Sequence, residues 1–305
     1  MSSRVRRGRS AFLLAVATAL GAVVGCAPQP TVTPTPTAPA TVRTVEFEDR
    51  PFLLDVPAAP LPDKTVALIV LLHGYTASAS GVMDYFGLRS LATERGFLVA
   101  APQGSTDDNG DAFWNASKAC CNVDGVKVDD SGYLSRLIGT ILATYPVDPG
   151  RVYVVGHSNG AFMAHRLACD HADQIAAIAS LAGALDVDAD CDPSRPVSVL
   201  QIHGDADESI AYQGGDIGGN AFTSVEQTLA RWRTSNSCPT GAQLGSGLDA
   251  DREVAGEDVT PTEWTPCRDG SSVARWTITG GGHVPSLTDA FRMRLVDWLE
   301  AHRRQ

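Results

Sequence analysis

The apolar residues of this chain gather in short continuous runs from about residue 66 onward. Such runs are typical of strands whose two faces are both buried, as in a parallel sheet covered by helices. They occupy residues 66–72, 97–101, 152–155, 175–181, 197–202 and 273–278. Residues 42–57 differ, because apolar and polar positions alternate there around a polar break, which predicts an antiparallel hairpin.

Apolar residues at helical spacing lie between several of these runs. The clearest pattern covers residues 133–142 and follows Asp129 and Asp130, whose negative charges suit the N-terminus of a helix. Two further apolar stripes are formed by Phe222, Val225, Leu229 and Trp232, and by Phe291, Leu295, Trp298 and Leu299. Strand and helix patterns alternate without a linker-like interruption. The sequence therefore predicts a single α/β domain over residues 43–305, with a mostly parallel central sheet and helices on both faces.

The first 25 residues have the features of a targeting segment. Four arginines precede an apolar run at residues 11–25, which is short for a membrane span and leads directly to Cys26. This arrangement resembles a bacterial lipobox, in which the chain is cleaved before a lipid-modified cysteine. The sequence thus predicts a lipoprotein signal peptide over residues 1–25; an ordinary signal peptide and an uncleaved anchor are the alternatives. Residues 26–42 are rich in Pro and Thr, which predicts an extended tether.

The composition is that of a soluble globular protein. Of the 305 residues, 44% are hydrophobic and 19% are charged, which excludes a disordered chain and a multi-span membrane protein. The formal charge is −11, and without the four arginines of the targeting segment it is −15. A surface this acidic repels nucleic acid and anionic lipid headgroups. We therefore expect no nucleic-acid partner, and we expect contact with a membrane only through lipid on Cys26.

The cysteines of the folded region are even in number, as expected for disulfides in an exported protein. They are Cys120, Cys121, Cys169, Cys191, Cys238 and Cys267. Cys238 and Cys267 bracket a polar loop between two predicted core elements, so we expect a bridge between them. The pairing of the other four stays open, with scattered buried thiols as the alternative. No cysteine or histidine spacing is typical of zinc, and no metal site is predicted.

A candidate nucleophile lies where a predicted strand runs into a predicted helix. The sequence there is Gly156-His157-Ser158-Asn159-Gly160, a Gly-x-Ser-x-Gly pattern. Small residues on both sides of Ser158 allow the tight strand-to-helix turn, here called the elbow, that exposes a serine hydroxyl above a sheet. The helix start behind Ser158 also supplies backbone N–H groups for a developing oxyanion. An apolar strand ending at His73-Gly74 is typical of the loop that provides a second such N–H.

A serine nucleophile requires a base and an acid that orients it. His283 follows the last predicted strand and the flexible Gly280-Gly281-Gly282, at the sheet edge where Ser158 is expected, and is the predicted base. Four other histidines follow Ser158 and are less suitable as the base. His165 and His171 lie on the helix behind the elbow. His203 comes before the acid candidates, and His302 lies in the charged C-terminal tail. The acid is expected after the strand at 197–202, where the sequence offers Asp205, Asp207 and Glu208. Spacing alone does not choose between the two aspartates.

Several motifs together resemble the polyhydroxyalkanoate depolymerase and feruloyl esterase family, carbohydrate esterase family 1. They extend over about residues 65 to 300 and are LLHGYTASAS, the Cys120-Cys121 pair, VDDSGYL, PVDPGRVYVVGHSNGAFMAHRLAC, QIHGDADESIAYQGG and GGGH. The resemblance implies the α/β-hydrolase fold and a catalytic triad of Ser158, Asp207 and His283. It makes Asp205 a loop residue and implies oxyanion donation by the backbone N–H groups of Tyr75 and Asn159. It implies no metal or organic cofactor.

One departure from the family pattern bears on the substrate. Relatives often continue GGGH with Trp-Pro-Gly, whereas this chain continues with Val284-Pro285-Ser286. A large contact surface for aromatic or long-chain substrates is thereby absent beside the base, which favours short, neutral acyl esters. An aromatic surface at Phe113 and Trp114 is the alternative.

The expected protein is an extracytoplasmic serine esterase, anchored by lipid to a bacterial membrane or released outside, and acting on small or polymeric esters. One alternative is a serine peptidase of the prolyl-oligopeptidase type, which usually carries a large extra domain that the roughly 40 residues before the first core strand do not accommodate. Another is a non-catalytic surface-binding lipoprotein, from which a missing triad member would be expected. No member is missing here.

Overall fold

The computed structural model describes residues 41–57, 65–122 and 124–305. The predicted signal peptide, Cys26 and all but the end of the predicted tether lie outside these residues. The first strand begins at Thr41, inside the segment predicted as tether, because Val42 packs against the core. No helix among the described residues is both long enough and apolar enough to cross a membrane.

The helices and strands alternate along the described chain. The strands are β1 (Thr41–Val45), β2 (Phe52–Val56), β3 (Val66–Leu72), β4 (Leu98–Pro102), β5 (Ser105–Thr106), β6 (Ala112–Phe113), β7 (Val147–His157), β8 (Ala177–Leu181), β9 (Ser198–Gly204), β10 (Gly215–Ile217), β11 (Asn220–Phe222), β12 (Gln243–Leu244), β13 (Thr262–Trp264) and β14 (Val273–Ile278). The helices are α1 (Ala79–Phe86), α2 (Arg89–Arg95), α3 (Asp130–Thr144), α4 (Asn159–Asp170), α5 (Val225–Ser235) and α6 (Asp289–Glu300).

Ten of the strands form one sheet in the order β1-β2-β4-β3-β7-β8-β9-β14-β13-β12. The six central strands, from β4 to β14 in that order, pair in parallel, and the strands outside them pair antiparallel. Because parallel strands all end at the same edge of a sheet, the segments that follow β3, β7, β9 and β14 meet there. These four segments carry the predicted site residues.

The apolar runs are explained by two cores, one on each face of the sheet. In β3, Leu68 and Val70 contribute to the core beneath α3, α4 and α5, whereas Ile69 and Leu71 contribute to the core beneath α1, α2 and α6. Successive side chains of a strand point to opposite faces, so a strand covered on both faces must be apolar at every position. The predicted mostly parallel sheet with helices on both faces is confirmed.

The individual elements also agree with the pattern, with a few differences. All six apolar runs fall in strands of the large sheet, and residues 42–57 form the predicted hairpin of β1 and β2. The stripe that begins at Phe222 is only partly helical, because Phe222 lies on β11. Ser224 caps α5 through reciprocal hydrogen bonds with Gln227 and thereby starts the helix at Val225. Helices α1 and α2 were not predicted.

Three disulfides connect the cysteines of the folded region. The predicted bridge between Cys238 and Cys267 is present, with Cα atoms 4.1 Å apart. The four cysteines left open by the sequence pair as Cys169 with Cys191 and as the neighbours Cys120 and Cys121. Scattered free thiols, the alternative, are therefore not what the structure has.

Candidate active site

Ser158 occupies a strained turn between β7 and α4. Its backbone has φ 55° and ψ −122°, a combination that L-residues rarely adopt and that projects the side chain away from the sheet. The Ser158 N–H donates to the Leu181 carbonyl at 2.9 Å and so secures the turn to β8. A Cβ atom at Gly156 would overlap the Gly160 carbonyl, and one at Gly160 would overlap the Leu72 carbonyl. The two glycines of the motif are therefore needed for close backbone contact.

The three predicted triad residues lie in one hydrogen-bonded line. Ser158 Oγ is 2.9 Å from His283 Nε2, and His283 Nδ1 is 2.8 Å from Asp207 Oδ2. The Asp207 side chain is wholly buried, whereas that of His283 is 19% exposed. The geometry allows His283 to accept the Ser158 proton while Asp207 accepts the opposite ring N–H.

Asp207 is fixed by several donors in the loop after β9. Its Oδ1 accepts the backbone N–H groups of Ser209 and Ile210, both at 2.8 Å. Burial acts to raise the pKa of Asp207, but hydrogen bonds from His203, His283 and the Ile210 N–H outweigh it and hold that pKa well below its usual range. The carboxylate is therefore ionised at neutral pH.

Asp205, the other candidate acid, has a different partner. Its Oδ1 accepts the Gly280 N–H at 2.6 Å, so it connects the β9 loop to the glycine loop that carries His283. The Ala206 N–H also donates to the Gly281 carbonyl, at 3.1 Å. Asp205 is thus a loop residue with a local hydrogen bond, as the resemblance implied.

The predicted oxyanion donors belong to two segments, the loop after β3 and the start of α4. His73 Nε2 accepts the Gly104 N–H at 2.9 Å, so the ring proton is on Nδ1, which donates to the Gly74 carbonyl at 2.8 Å. The Gly74 carbonyl and the Tyr75 N–H belong to the same trans peptide and point in opposite directions. The Tyr75 N–H therefore points away from the His73 ring. An added Cβ at Gly74 would lie 3.2 Å from Ser158 Cβ, so the loop is in contact with the serine.

Asn159 is the first residue of α4, where backbone N–H groups have no partner within the helix. Among the residues that the structure describes, neither its N–H nor that of Tyr75 donates to a protein acceptor. The Asn159 side chain is buried and binds the Trp114 backbone, accepting its N–H at 2.6 Å and donating to its carbonyl at 3.0 Å. The two backbone donors are thus available for a ligand oxygen.

His157 has a position that the sequence analysis did not assign. Its Nε2 donates to the His283 carbonyl at 2.9 Å, and its ring lies 5.1 Å from both the His283 ring and the Tyr85 ring, centroid to centroid. Burial lowers the pKa of His157 to about 4, so it is neutral at pH 7. Its adjacency to Ser158 at the strand end was the available signal, but sequence spacing does not reveal its contact with a loop 126 residues away.

The histidines set aside in the sequence analysis are not at the hydroxyl. His165 lies on α4 and His203 on β9, and both side chains are buried. His302, expected in a charged tail, is instead buried beside Ser272, the residue before β14, whose Oγ lies 2.7 Å from His302 Nε2. Both nitrogens of the His302 ring take part in hydrogen bonds, so the segment after α6 packs on the fold.

The residues that the sequence offered as substrate contacts differ in their exposure. Val284, next to His283, is 63% exposed, whereas Phe113 and Trp114 are wholly buried. The Trp114 indole N–H donates to the His73 carbonyl at 3.0 Å and thus supports the oxyanion loop. Among the described residues the large exposed apolar side chains are all aliphatic, and no cluster of His, Cys, Asp or Glu could hold a metal ion.

Known proteins similar to this chain include several esterases. NocK, from Nocardia uniformis subsp. tsuyamanensis, is named as an esterase and is 28% identical over 323 residues, covering 94% of this chain and 92% of NocK. Feruloyl esterase B from Piromyces equi is 28% identical over 244 residues, covering 77% of this chain and 42% of that relative. The acetyl xylan esterase from Aspergillus awamori superposes with a TM-score of 0.59 over 86% of this chain and 99% of that chain, at 16% identity, and so shares its fold.

The family comparison agrees with the motifs that surround the strained serine. Residues 52–217, more than half of the chain, match the family described as Esterase PHB depolymerase. The matched segment includes the elbow at Ser158 and the loop of Asp207. The chain therefore belongs to the Esterase PHB depolymerase family and has the α/β-hydrolase fold.

Proposed function

We propose that this protein is a serine esterase that hydrolyses carboxylic esters through Ser158, His283 and Asp207. The observation that carries the proposal is the unbroken hydrogen-bonded line of these three side chains, which begins at a strained strand-to-helix turn. Membership of an esterase family supports ester hydrolysis as the reaction.

The proposed reaction has two halves that share one geometry. Ser158 Oγ attacks the ester carbonyl as His283 Nε2 takes its proton, and the backbone N–H groups of Tyr75 and Asn159 stabilise the oxyanion. His283 then returns the proton to the departing alcohol, which leaves an acyl-enzyme. In the second half, water attacks the acyl-enzyme as His283 takes its proton. His283 then returns the proton to Ser158 Oγ, and the carboxylic acid is released. Asp207 holds the His283 proton on Nδ1 and stabilises the imidazolium that forms in each half.

Labelling with an organophosphonate tests the nucleophile. We expect the probe to modify Ser158 alone and to abolish ester turnover, and we expect Ser158→Ala to remove both labelling and turnover. Mass spectrometry of the labelled peptide and the initial rate on p-nitrophenyl acetate are the measurements. Labelling of the alanine variant at the normal rate would refute the assignment.

We propose further that the mature protein is extracytoplasmic and is anchored by lipid on Cys26. The signal-like residues 1–25 and the lipobox pattern are the basis of this proposal. The three disulfides support it, since such bonds persist in oxidising compartments and are rare in the cytosol.

The surroundings of Ser158 favour short, neutral acyl groups as substrates. Aromatic rings and long chains gain affinity by covering apolar surface, at about 25 cal/mol per Å². Val284 offers only a small such surface beside His283, and Phe113 and Trp114 are buried and contribute none. The acidic surface also disfavours approach of anionic esters.

A panel of esters assayed under one set of conditions tests this specificity. We expect kcat/KM to be highest for acetyl and butyryl esters, lower for octanoyl and feruloyl esters, and very low on solid polyhydroxybutyrate. A preference for the octanoyl or feruloyl ester would refute the specificity argument and would leave the triad proposal untouched.

A further inference from the structure

A chain of hydrogen bonds runs through the core from α5 to the loop of Asp207. The Trp232 indole N–H donates to His165 Nδ1 at 3.0 Å, and His165 Nε2 lies 3.0 Å from Gln201 Oε1. Gln201 Nε2 lies 3.3 Å from His203 Nδ1. The four side chains are all at most 1% exposed. None of the four takes or gives a proton in the reaction described above.

The end of the chain contacts the candidate acid. His203 Nε2 lies 2.7 Å from the Ile210 carbonyl and 3.4 Å from Asp207 Oδ2. Both Ile210 and Asp207 belong to the loop after β9, and the Ile210 N–H also donates to Asp207 Oδ1. The His203 ring is therefore in contact with both ends of the short segment that fixes the carboxylate.

The direction of donation is determined at the first half of the chain. An indole nitrogen can only donate, so His165 Nδ1 must accept and its proton must be on Nε2. Burial lowers the pKa of His165 to about 4, which leaves the ring with that single proton. His165 therefore donates to Gln201, and the atom of the amide that faces it is the oxygen.

The second half of the chain follows from the amide. Gln201 Nε2 donates to the Gly183 carbonyl at 2.8 Å, which independently fixes the same orientation of the amide. The amide thus presents an N–H, and not a lone pair, to His203 Nδ1. That nitrogen must accept, so the His203 proton is on Nε2 and points to the Ile210 carbonyl and Asp207 Oδ2.

We propose that Gln201 and His203 are positioning residues of the esterase: the buried chain from Trp232 directs the His203 Nε2–H to the acid loop and thereby holds Asp207 against His283. The opposite tautomer of His203 would present a lone pair to a carbonyl oxygen and to a carboxylate, which repel it. Buried polar side chains of this kind are costly when unsatisfied, and apolar residues would stabilise the core equally well. Their arrangement is explained by the orientation that it imposes.

The test compares two substitutions of His203 with one another. His203→Phe keeps a ring and removes the donor, and we expect it to lower kcat roughly ten- to hundredfold, as for the loss of a hydrogen bond to a charged group, with KM within about twofold. His203→Gln keeps an N–H near the place of Nε2 and should restore most of the lost kcat. Equal kcat values for the two variants, or a kcat of the folded His203→Phe variant within twofold of wild type, would overturn the proposal.

A matched control separates positioning from stability. His302→Phe also removes a buried, hydrogen-bonded histidine. His302 lies beside Ser272, before the start of β14, whereas His203 pairs with Thr277 near the end of β14. We expect it to lower the melting temperature and leave kcat unchanged. If His203→Phe does not fold, Gln201→Met replaces it, because this variant keeps His203 and removes the donor to its Nδ1, together with the hydrogen bonds of Gln201 to His165 and to the Gly183 carbonyl. A kcat of Gln201→Met equal to that of wild type would also overturn the proposal.

The inference rests on the proposed function, and Ser158→Ala in the same assay distinguishes the two. Turnover by Ser158→Ala at the wild-type rate would refute the proposed function itself. Loss of turnover in Ser158→Ala together with unaltered kcat in His203→Phe would refute only the role of the buried chain.

Discussion

Replacing Asp207 by Asn keeps the shape of this side chain and changes its charge and its donor pattern, so the consequence can be worked out atom by atom. Oδ1 accepts the N–H groups of Ser209 and Ile210 and must therefore remain an oxygen. The amide NH2 of an asparagine is then forced to the Oδ2 position, where it faces His283 Nδ1. Two donors cannot face each other, so the His283 proton moves to Nε2.

This tautomer removes the base. With its proton on Nε2, His283 donates to Ser158 Oγ and cannot accept the hydroxyl proton. The developing imidazolium also loses its negative partner at 2.8 Å. We expect Asp207→Asn to lower kcat by about 10³- to 10⁴-fold, which corresponds to roughly 4–5.5 kcal/mol in the transition state.

Asp205→Asn is the matched control in the same loop. An asparagine there keeps its Oδ1 to accept the Gly280 N–H, so we expect kcat to fall less than about tenfold. The assay is the pH-independent kcat on p-nitrophenyl acetate, with thermal melts to establish that both variants fold. Equal losses for the two variants, or a larger loss for Asp205→Asn, would refute the assignment of Asp207 as the acid.

Three further predictions concern the anchor, the elbow and acid stability. Cys26→Ser should abolish labelling by a lipid probe while the domain still folds. The measurement is mass spectrometry of the mature N-terminus. An unmodified terminus at another position would contradict the lipobox prediction. Gly160→Ala should lower the free energy of unfolding by about 3 kcal/mol because its Cβ overlaps the Leu72 carbonyl. Gly139→Ala, in open space on α3, should raise the free energy of unfolding by up to about 1 kcal/mol. Similar urea midpoints for the two variants would exclude this reasoning. Burial lowers the pKa of His165 from 6.5 to about 4, so the unfolded chain gains a proton in this window that the folded chain does not, and stability should fall as the pH falls, by up to about 1.4 kcal/mol per pH unit. Burial also lowers the pKa of His157, so His165→Gln should reduce that slope in urea titrations without abolishing it, and an unaltered slope would count against the assignment.

The sequence by itself determined the central strands of the large sheet, the segments that follow them and the hairpin of β1 and β2, but not helices α1 and α2 or the other short strands outside the central six. Each central strand is covered on both faces, so every position along β3 must be apolar, and the run is visible without any partner. The close contact between Gly156 and the Gly160 carbonyl is also local to the turn at Ser158, whereas the need for Gly160 arises from its contact with the Leu72 carbonyl of β3. His283 was predictable because strand order and a flexible loop leave few positions for a base.

Only the tertiary structure decided which side chains meet at the edge of the sheet. Asp205 and Asp207 are equivalent by spacing, and the resemblance rather than the pattern favoured Asp207; in the fold one carboxylate turns to Gly280 and the other to His283. The contact of His157 with the His283 carbonyl could not be inferred either. The physical reason is that periodicity encodes which face of an element is buried, whereas hydrogen bonds between loops more than 70 residues apart depend on the register and twist of the whole sheet.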